Sequence, residues 1–278
     1  MVELSNISFS FNRKTPLFQN LTLSLQAGRN YGLFGLNGAG KTTLLNLMSG
    51  MLFPASGSCN IAGMEVRKRL PSVMSQLFIV PEQFELPPLT PERFTVNQKP
   101  FYPRFDSSEM EHLMHQFNID PQKVLTQHSY GQRKKFLIAF SLAVNTPLLL
   151  MDEPTNGLDI PSKSQFRKVM SETESARRCT FISTHQVRDL ESIIDHMTVL
   201  HSGKIIFNQS VSDIAERLTF KKTAGVPPES LYSEETTDGY HTLFRRLKDE
   251  QGERVDLELL FNSIIQKTDS INHVFDNS

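Results

Sequence analysis

The run Gly35-Leu36-Asn37-Gly38-Ala39-Gly40-Lys41-Thr42 fits the pattern G-x-x-x-x-G-K-[ST]. Glycines in such a loop let the chain curl until successive backbone N–H groups point inward at phosphate oxygens. A helix beginning where the loop ends adds its positive N-terminal end. Lys41 supplies a flexible point charge for β- and γ-phosphates, and Thr42 offers a hydroxyl ligand to Mg²⁺. The expected nucleotide-binding residues are therefore Gly35, Asn37, Gly38, Ala39, Gly40, Lys41, Thr42 and Thr43. The competing reading is a tight strand-to-helix turn with no ligand.

A second group is Leu148-Leu149-Leu150-Met151-Asp152-Glu153, an apolar run ending in two carboxylates. If the run is a strand of an open α/β sheet, the carboxylates lie at its C-terminal end, where ligands bind. Asp152 is then placed to hold Mg²⁺ through its water shell. Glu153 is placed to accept a proton from an attacking water. Taken alone, a strand ending in Asp-Glu is more often a solvated edge. The phosphate loop in the same chain favours a site.

These residues need elements to hold them. Leu4, Ile7, Phe9 and Phe11 interleave with polar residues, and Leu21, Leu23 and Leu25 alternate with Thr22 and Ser24, which predicts strands. Asn12 to Pro16 reads as the turn between them. Tyr31 to Phe34 reads as a buried strand before the glycine loop, and Lys41 to Ser49 as a helix stopped by Gly50. Seven prolines between positions 81 and 121 exclude a long strand there. Asp106 with Glu109 has capping-box spacing, and Met110, Leu113, Met114 and Phe117 follow at helical intervals. Residues 82–145 therefore read as a helical insertion. Strand texture returns at residues 148–151, 180–183 and 197–200. Between these lie a helix opened by Pro161 and another expected over Val187 to Asp195. Strands alternating with helices imply a parallel sheet covered on both faces, and an α/β fold. The tail from 212 to 278 carries Pro227-Pro228, a hairpin signal at Thr237-Asp238-Gly239 and an amphipathic helix over Val255 to Ile265. It reads as a small appended subdomain, with 1–211 as the main unit.

The 278 residues allow one or two domains. Twenty-nine basic against 30 acidic side chains leave a formal net charge of −1. That balance gives no bulk electrostatic drive toward nucleic acid or an anionic surface. Two cysteines exclude a disulfide scaffold. The first residues lack a basic and an apolar region, so no signal peptide is expected. The most apolar stretch, Phe136 to Met151, is interrupted by Ser141, Asn145, Thr146 and Pro147 and falls short of a bilayer span. The expectation is a soluble cytoplasmic protein.

Several ordered motifs over roughly residues 1–210 resemble the ATP-binding subunit of ABC transporters. Ser129-Tyr130-Gly131-Gln132 is similar to the family signature, whose usual form is Leu-Ser-Gly-Gly-Gln. Asp152 to Thr155 followed by Asn156-Gly157-Leu158-Asp159 resembles the Walker B segment and D-loop, and Ser183-Thr184-His185 the switch histidine. The resemblance implies a P-loop NTPase (RecA-like) core with an N-terminal antiparallel β subdomain, a helical insertion and a small C-terminal α+β extension. It implies ATP and Mg²⁺ as ligands, with catalytic roles for Glu153, His185 and Lys41. Phe11 falls where the family stacks an aromatic on adenine, although a core strand aromatic is the other reading. Ser129, Gly131 and Gln132 would touch nucleotide bound to a second copy, and Asp159 would report across that interface. Both Ser129 and Asp159 also suit ordinary helix N-caps.

There are departures. His128 replaces a leucine and Tyr130 a glycine. The Q-loop position holds Glu82 with Gln83 beside it, and either could reach Mg²⁺ or its water. Glu82 and the segment Phe101 to Asp106 resemble drug- and antibiotic-type exporter ATPases. The implied partners are a membrane-spanning permease and a second ATP-binding subunit, with no nucleic acid and a place on the inner face of the membrane. Phe84, Leu86, Leu89 and Phe94 could line a docking groove or pack internally. The alternative function is a non-transport ABC ATPase acting on ribosomes or DNA.

Overall fold

A computed structural model describes residues 1–12, 15–173, 177–247 and 254–276. Arg13 and Lys14 of the expected Asn12 to Pro16 turn lie outside these residues. Strands β1 (Val2–Phe9) and β2 (Phe18–Leu25) pair antiparallel with Leu4 opposite Leu23. Strand β3 (Asn30–Phe34) feeds the glycine loop and helix α1 (Lys41–Met48). Strand β4 (Ser56–Ile61) returns beside β1, and β5 (Met64–Glu65) completes a sheet of order β2-β1-β4-β5. The sequence Ser56-Gly57-Ser58-Cys59-Asn60 has no apolar alternation, so β4 was not anticipated. Its pairing with β1 specifies it.

Short helix α2 (Pro71–Met74) precedes β6 (Leu77–Val80). The chain is then helical, through α3 (Pro91–Gln98), α4 (Ser107–Gln116) and α5 (Tyr130–Ala143). Asp106 caps α4, accepting from Ser108 N at 2.9 Å and Glu109 N at 3.0 Å. Phe140 is the hub of an aromatic cluster, with the rings of Phe94, Phe105, Phe78 and Tyr102 at 5.2, 5.6, 5.7 and 6.3 Å. Leu86 and Phe94 are buried, and Phe84 and Leu89 pack against the same core. These four residues pack internally and do not form an open groove.

Strand β7 (Leu148–Asp152), helix α6 (Ile160–Glu172), strand β8 (Cys179–Thr184), strand β9 (His196–His201) and strand β10 (Lys204–Ser210) complete the larger sheet. Its order is β10-β9-β3-β8-β7-β6, parallel from β9 to β6, with β10 antiparallel at the edge. All five residues of β7 and all six of β8 are buried, as a sheet covered on both faces requires.

The helix expected over Val187 to Asp195 is not formed. A single 3₁₀ turn at Val187–Asp189 is followed by further turns. The Asp195 N–H donates to the Asn30 carbonyl at 2.8 Å, and Asn30 N–H donates to the Asp195 carboxylate at 2.8 Å. These bonds draw the segment into β9 alongside β3. Its apolar residues Val187, Leu190, Ile193 and Ile194 are buried without an α-helix.

Helix α7 (Val211–Arg217) leads into β11 (Leu218–Thr223), β12 (Tyr232–Thr236) and β13 (Gly239–Arg245), a three-stranded antiparallel sheet of order β11-β13-β12. The hairpin closes with Thr236 opposite Gly239. Helices α8 (Leu257–Gln266) and α9 (Thr268–Asp276) follow. Leu257, Leu260 and Ile264 share one core with Leu190, Ile194 and Phe207. No helix among the described residues is long and apolar enough to cross a membrane.

Candidate functional site

The parallel register brings the ends of β3, β7 and β8 to one edge: Phe34 pairs with Thr184, and Asp152 with Ser183. Every expected residue of the phosphate loop, Asp152, Glu153 and His185 lies just past or at the end of one of these strands. Gly40 holds the αL conformation (φ 103°) immediately before α1, and a Cβ there would come within 2.9 Å of the Phe18 ring. Gly35 approaches the Leu200 carbonyl so closely that a Cβ would lie 2.5 Å from it. Glycine at both positions is required by the backbone path.

A cleft of about 790 Å³ opens at this edge, lined by loop residues Asn37, Gly38, Gly40, Lys41, Thr42 and Thr43. Phe11, Leu17, Glu82, Glu153, Asn156 and His185 form its other walls. Lys41 is buried, and its Nζ donates to the carbonyl of Gly35 at 2.8 Å. The same ammonium stands 3.7 Å from Glu153 Oε1. Glu153 is 6% exposed, and its Oε1 lies 2.9 Å from His185 Nδ1. Asp152 lies beneath, accepting a hydrogen bond from the Ser183 hydroxyl. Burial raises the Asp152 carboxyl above its ordinary range, and hydrogen bonds to Ser183 and Thr42 oppose that rise.

Phe11 is 71% exposed at the cleft wall, touching Phe9 edge-on at 5.0 Å, so it is not a core residue. Glu82 lines the cleft; Gln83 is exposed and is not among the lining residues. Ser129, Gly131, Gln132 and Asp159 lie outside the cleft. Ser129 caps α5, accepting from Gln132 N at 3.3 Å, and Asp159 caps α6, accepting from Ser162 N at 2.8 Å. Hydrogen bonds from Ser162, its side chain first and then its N–H, hold the Asp159 carboxyl below its ordinary range.

Tyr130, in the place of a glycine, turns its hydroxyl to the Glu82 carbonyl at 2.7 Å and stacks on Phe84 at 5.5 Å. Asn156 is a cleft residue that the sequence reading did not single out: its amide donates to Glu82 Oε1 at 2.8 Å. Its position three residues past Glu153, in the turn leaving β7, was the available signal. Lys134 was also missed; it lies under this turn, donating to the carbonyls of Glu153 and Asn156.

The fold and cleft together define a phosphate-loop nucleoside triphosphatase. Residues 18–156 match the family model described as ABC transporter. The lantibiotic transport ATP-binding protein SrtF of Streptococcus pyogenes is 30% identical over 215 residues, covering 75% of this chain and 90% of that protein. The ABC transporter ATP-binding protein YtrB of Bacillus subtilis is 28% identical over 223 residues, covering 78% of this chain and 74% of that one. A solved ATP-binding subunit of an ABC transporter superposes with a TM-score of 0.69 at 24% identity, over 77% of this chain and 91% of that chain. This chain belongs to the ABC transporter family, as an ATP-binding subunit that hydrolyses ATP.

Proposed function

We propose that this chain binds Mg²⁺·ATP in the cleft and drives export through a separate membrane-spanning permease. The observation that carries the reading is the buried Glu153 carboxylate, 2.9 Å from His185 and 3.7 Å from Lys41. In this reading the carboxylate accepts a proton from water as that water attacks the γ-phosphorus. The bond to the β-phosphate oxygen breaks, and ADP and phosphate leave. His185 orients the water and hydrogen-bonds the γ-phosphate, while Lys41 offsets charge on the phosphates. Phe11 offers an exposed face for adenine.

The donor set fits a hard cation: the Thr42 hydroxyl and the Asp152 carboxylate are hydrogen-bonded to each other, and Glu82 faces the same cleft. These residues would hold Mg²⁺, which neutralises charge developing on the phosphates. Apolar Leu36, within the phosphate loop, and Ile160, next to Asp159, are exposed. That supports a head-to-tail pair of copies, with Ser129, Gly131 and Gln132 of one meeting nucleotide held by the other, and Asp159 at the seam. ATP closes the pair by contacting both halves, and hydrolysis removes the bridging γ-phosphate. Residues 1–211 form the cassette and 212–278 an accessory unit. The partner permease places the chain at the cytoplasmic face of the membrane. Likeness to SrtF and the exporter-like Glu82 support transport over action on ribosomes or DNA.

Gentle solubilisation of native membranes and capture of this chain tests the reading. A stoichiometric polytopic protein is expected. Ribosomal or DNA-bound proteins in its place would overturn transport and leave the ATP chemistry standing.

A further inference from the structure

Lys134 is 0% exposed, in the second turn of α5. No step of the hydrolysis described above uses it. A buried ammonium group is costly unless its donors are satisfied. Its Nζ donates to the Glu153 carbonyl at 2.7 Å and the Asn156 carbonyl at 3.1 Å. The Tyr130 ring lies 5.8 Å from the same nitrogen. Burial pushes the Lys134 ammonium down to about 8, while the charges of Glu82, Glu153 and Asp152 resist that shift.

The carbonyl it holds belongs to a strained residue. Glu153 has φ 46°, in the left-handed region that a residue with a Cβ rarely adopts. The Glu153 N–H is secured from the other side, donating to the Ser183 carbonyl at 3.1 Å. The main chain of Glu153 is thus held at its N–H by β8 and at its carbonyl by Lys134 of α5 and by the Asn156 N–H at 3.1 Å. That grip sets the direction in which the side chain leaves the strand, toward His185 and the cleft.

We propose that Lys134 is a positioning residue for Glu153, holding the left-handed backbone that aims the carboxylate into the cleft. The proposal rests on Glu153 acting as the base. Lys134 is fully buried and does not line the cleft, so its removal acts through the turn that carries Glu153 and Asn156.

The test uses the full chain with Mg²⁺·ATP and compares Lys134→Met, Glu153→Gln and the double variant. Lys134→Met is expected to lower kcat by about 10–100-fold, the usual effect of a misplaced catalytic group. Affinity for a fluorescent ATP analogue should stay within about twofold, since a lost transition-state interaction moves kcat and leaves ground-state binding. In the Glu153→Gln background, adding Lys134→Met should cost nothing further, because the two act as one unit. Wild-type kcat in Lys134→Met beside an inactive Glu153→Gln overturns the positioning role alone. So does a parallel loss of nucleotide binding, or an equal further loss in the double variant, since either marks a general structural role. Wild-type turnover by Glu153→Gln overturns the base assignment itself, and the positioning role with it. If Lys134→Met does not fold, Lys134→Leu, which also lacks a donor, is read by the same criteria.

Discussion

His185 Nδ1 and Glu153 Oε1 lie 2.9 Å apart across two neighbouring strands, although 32 residues separate them in the chain. The pairing of Asp152 with Ser183 in the parallel register produces this contact, since each partner is followed within two residues by one of the pair. A slip of that register would separate them. The geometry makes the two side chains one unit in the cleft.

Glu153→Gln removes the proton acceptor and keeps the shape of the side chain. Turnover should fall by about 10²–10⁴-fold, the usual worth of a general base. Nucleotide affinity should persist. Steady-state phosphate release with a parallel binding titration checks both, and unchanged turnover would end the assignment.

Lys41→Ala deletes a buried charge from the phosphate loop. ATP affinity should weaken by about 1.5–3 kcal/mol, the range for hydrogen bonds to charged groups. Isothermal titration calorimetry reads this directly. Undiminished affinity would sink the role of the loop.

Asp106 accepts hydrogen bonds from the Ser108 hydroxyl and the first-turn amides of α4. Those bonds, the Ser108 side chain first, hold its carboxyl below its ordinary 3.8. A depressed acid contributes stability that is fully present above its unfolded value and lost as pH falls through the folded one. Asp106→Ala should cost about 1 kcal/mol at neutral pH, the usual value of an N-cap. The difference in melting temperature should shrink below pH 3.8. A gap that persists in strong acid would contradict the cap.

Lys134 shifts stability with pH in the same direction, in a higher window. Its ammonium is pushed down to about 8 from an ordinary 10.5. Between these values the unfolded chain binds more protons than the folded one, so this residue makes stability rise with pH across that window. Urea titrations of the wild type and Lys134→Met should show a difference in slope between pH 8 and 10.5. Parallel curves would refute it.

Phe140 is 1% exposed at the centre of its ring cluster. Phe140→Ala should destabilise by about 3–5 kcal/mol, as large cavities do. Denaturant unfolding measures the loss, and a change below about 1 kcal/mol would mean that the cluster collapses around the gap.

The phosphate loop, the Asp152-Glu153 pair and the α/β class were legible in the residues, because each depends on local chemistry: backbone freedom at glycine, a helix start, an apolar strand ending in carboxylates. His185 stood out only through the resemblance to a family motif. The strand β4 and the missing helix at Val187 to Asp195 were not legible. Polar Ser56 to Asn60 becomes a strand only by hydrogen bonding to β1, and Asp195 leaves helical geometry only because Asn30 lies beside it. The same limit applies to Lys134 and Asn156. The position of Asn156 just past Glu153 hints at the cleft, but nothing in the chain order shows that it holds the Glu82 carboxylate or that Lys134 holds the Glu153 carbonyl. Residue types and short-range order determined which chemistry this protein has available. Strand register and helix docking, which depend on contacts between distant segments, decided which carboxylate is buried, what grips it and what faces it.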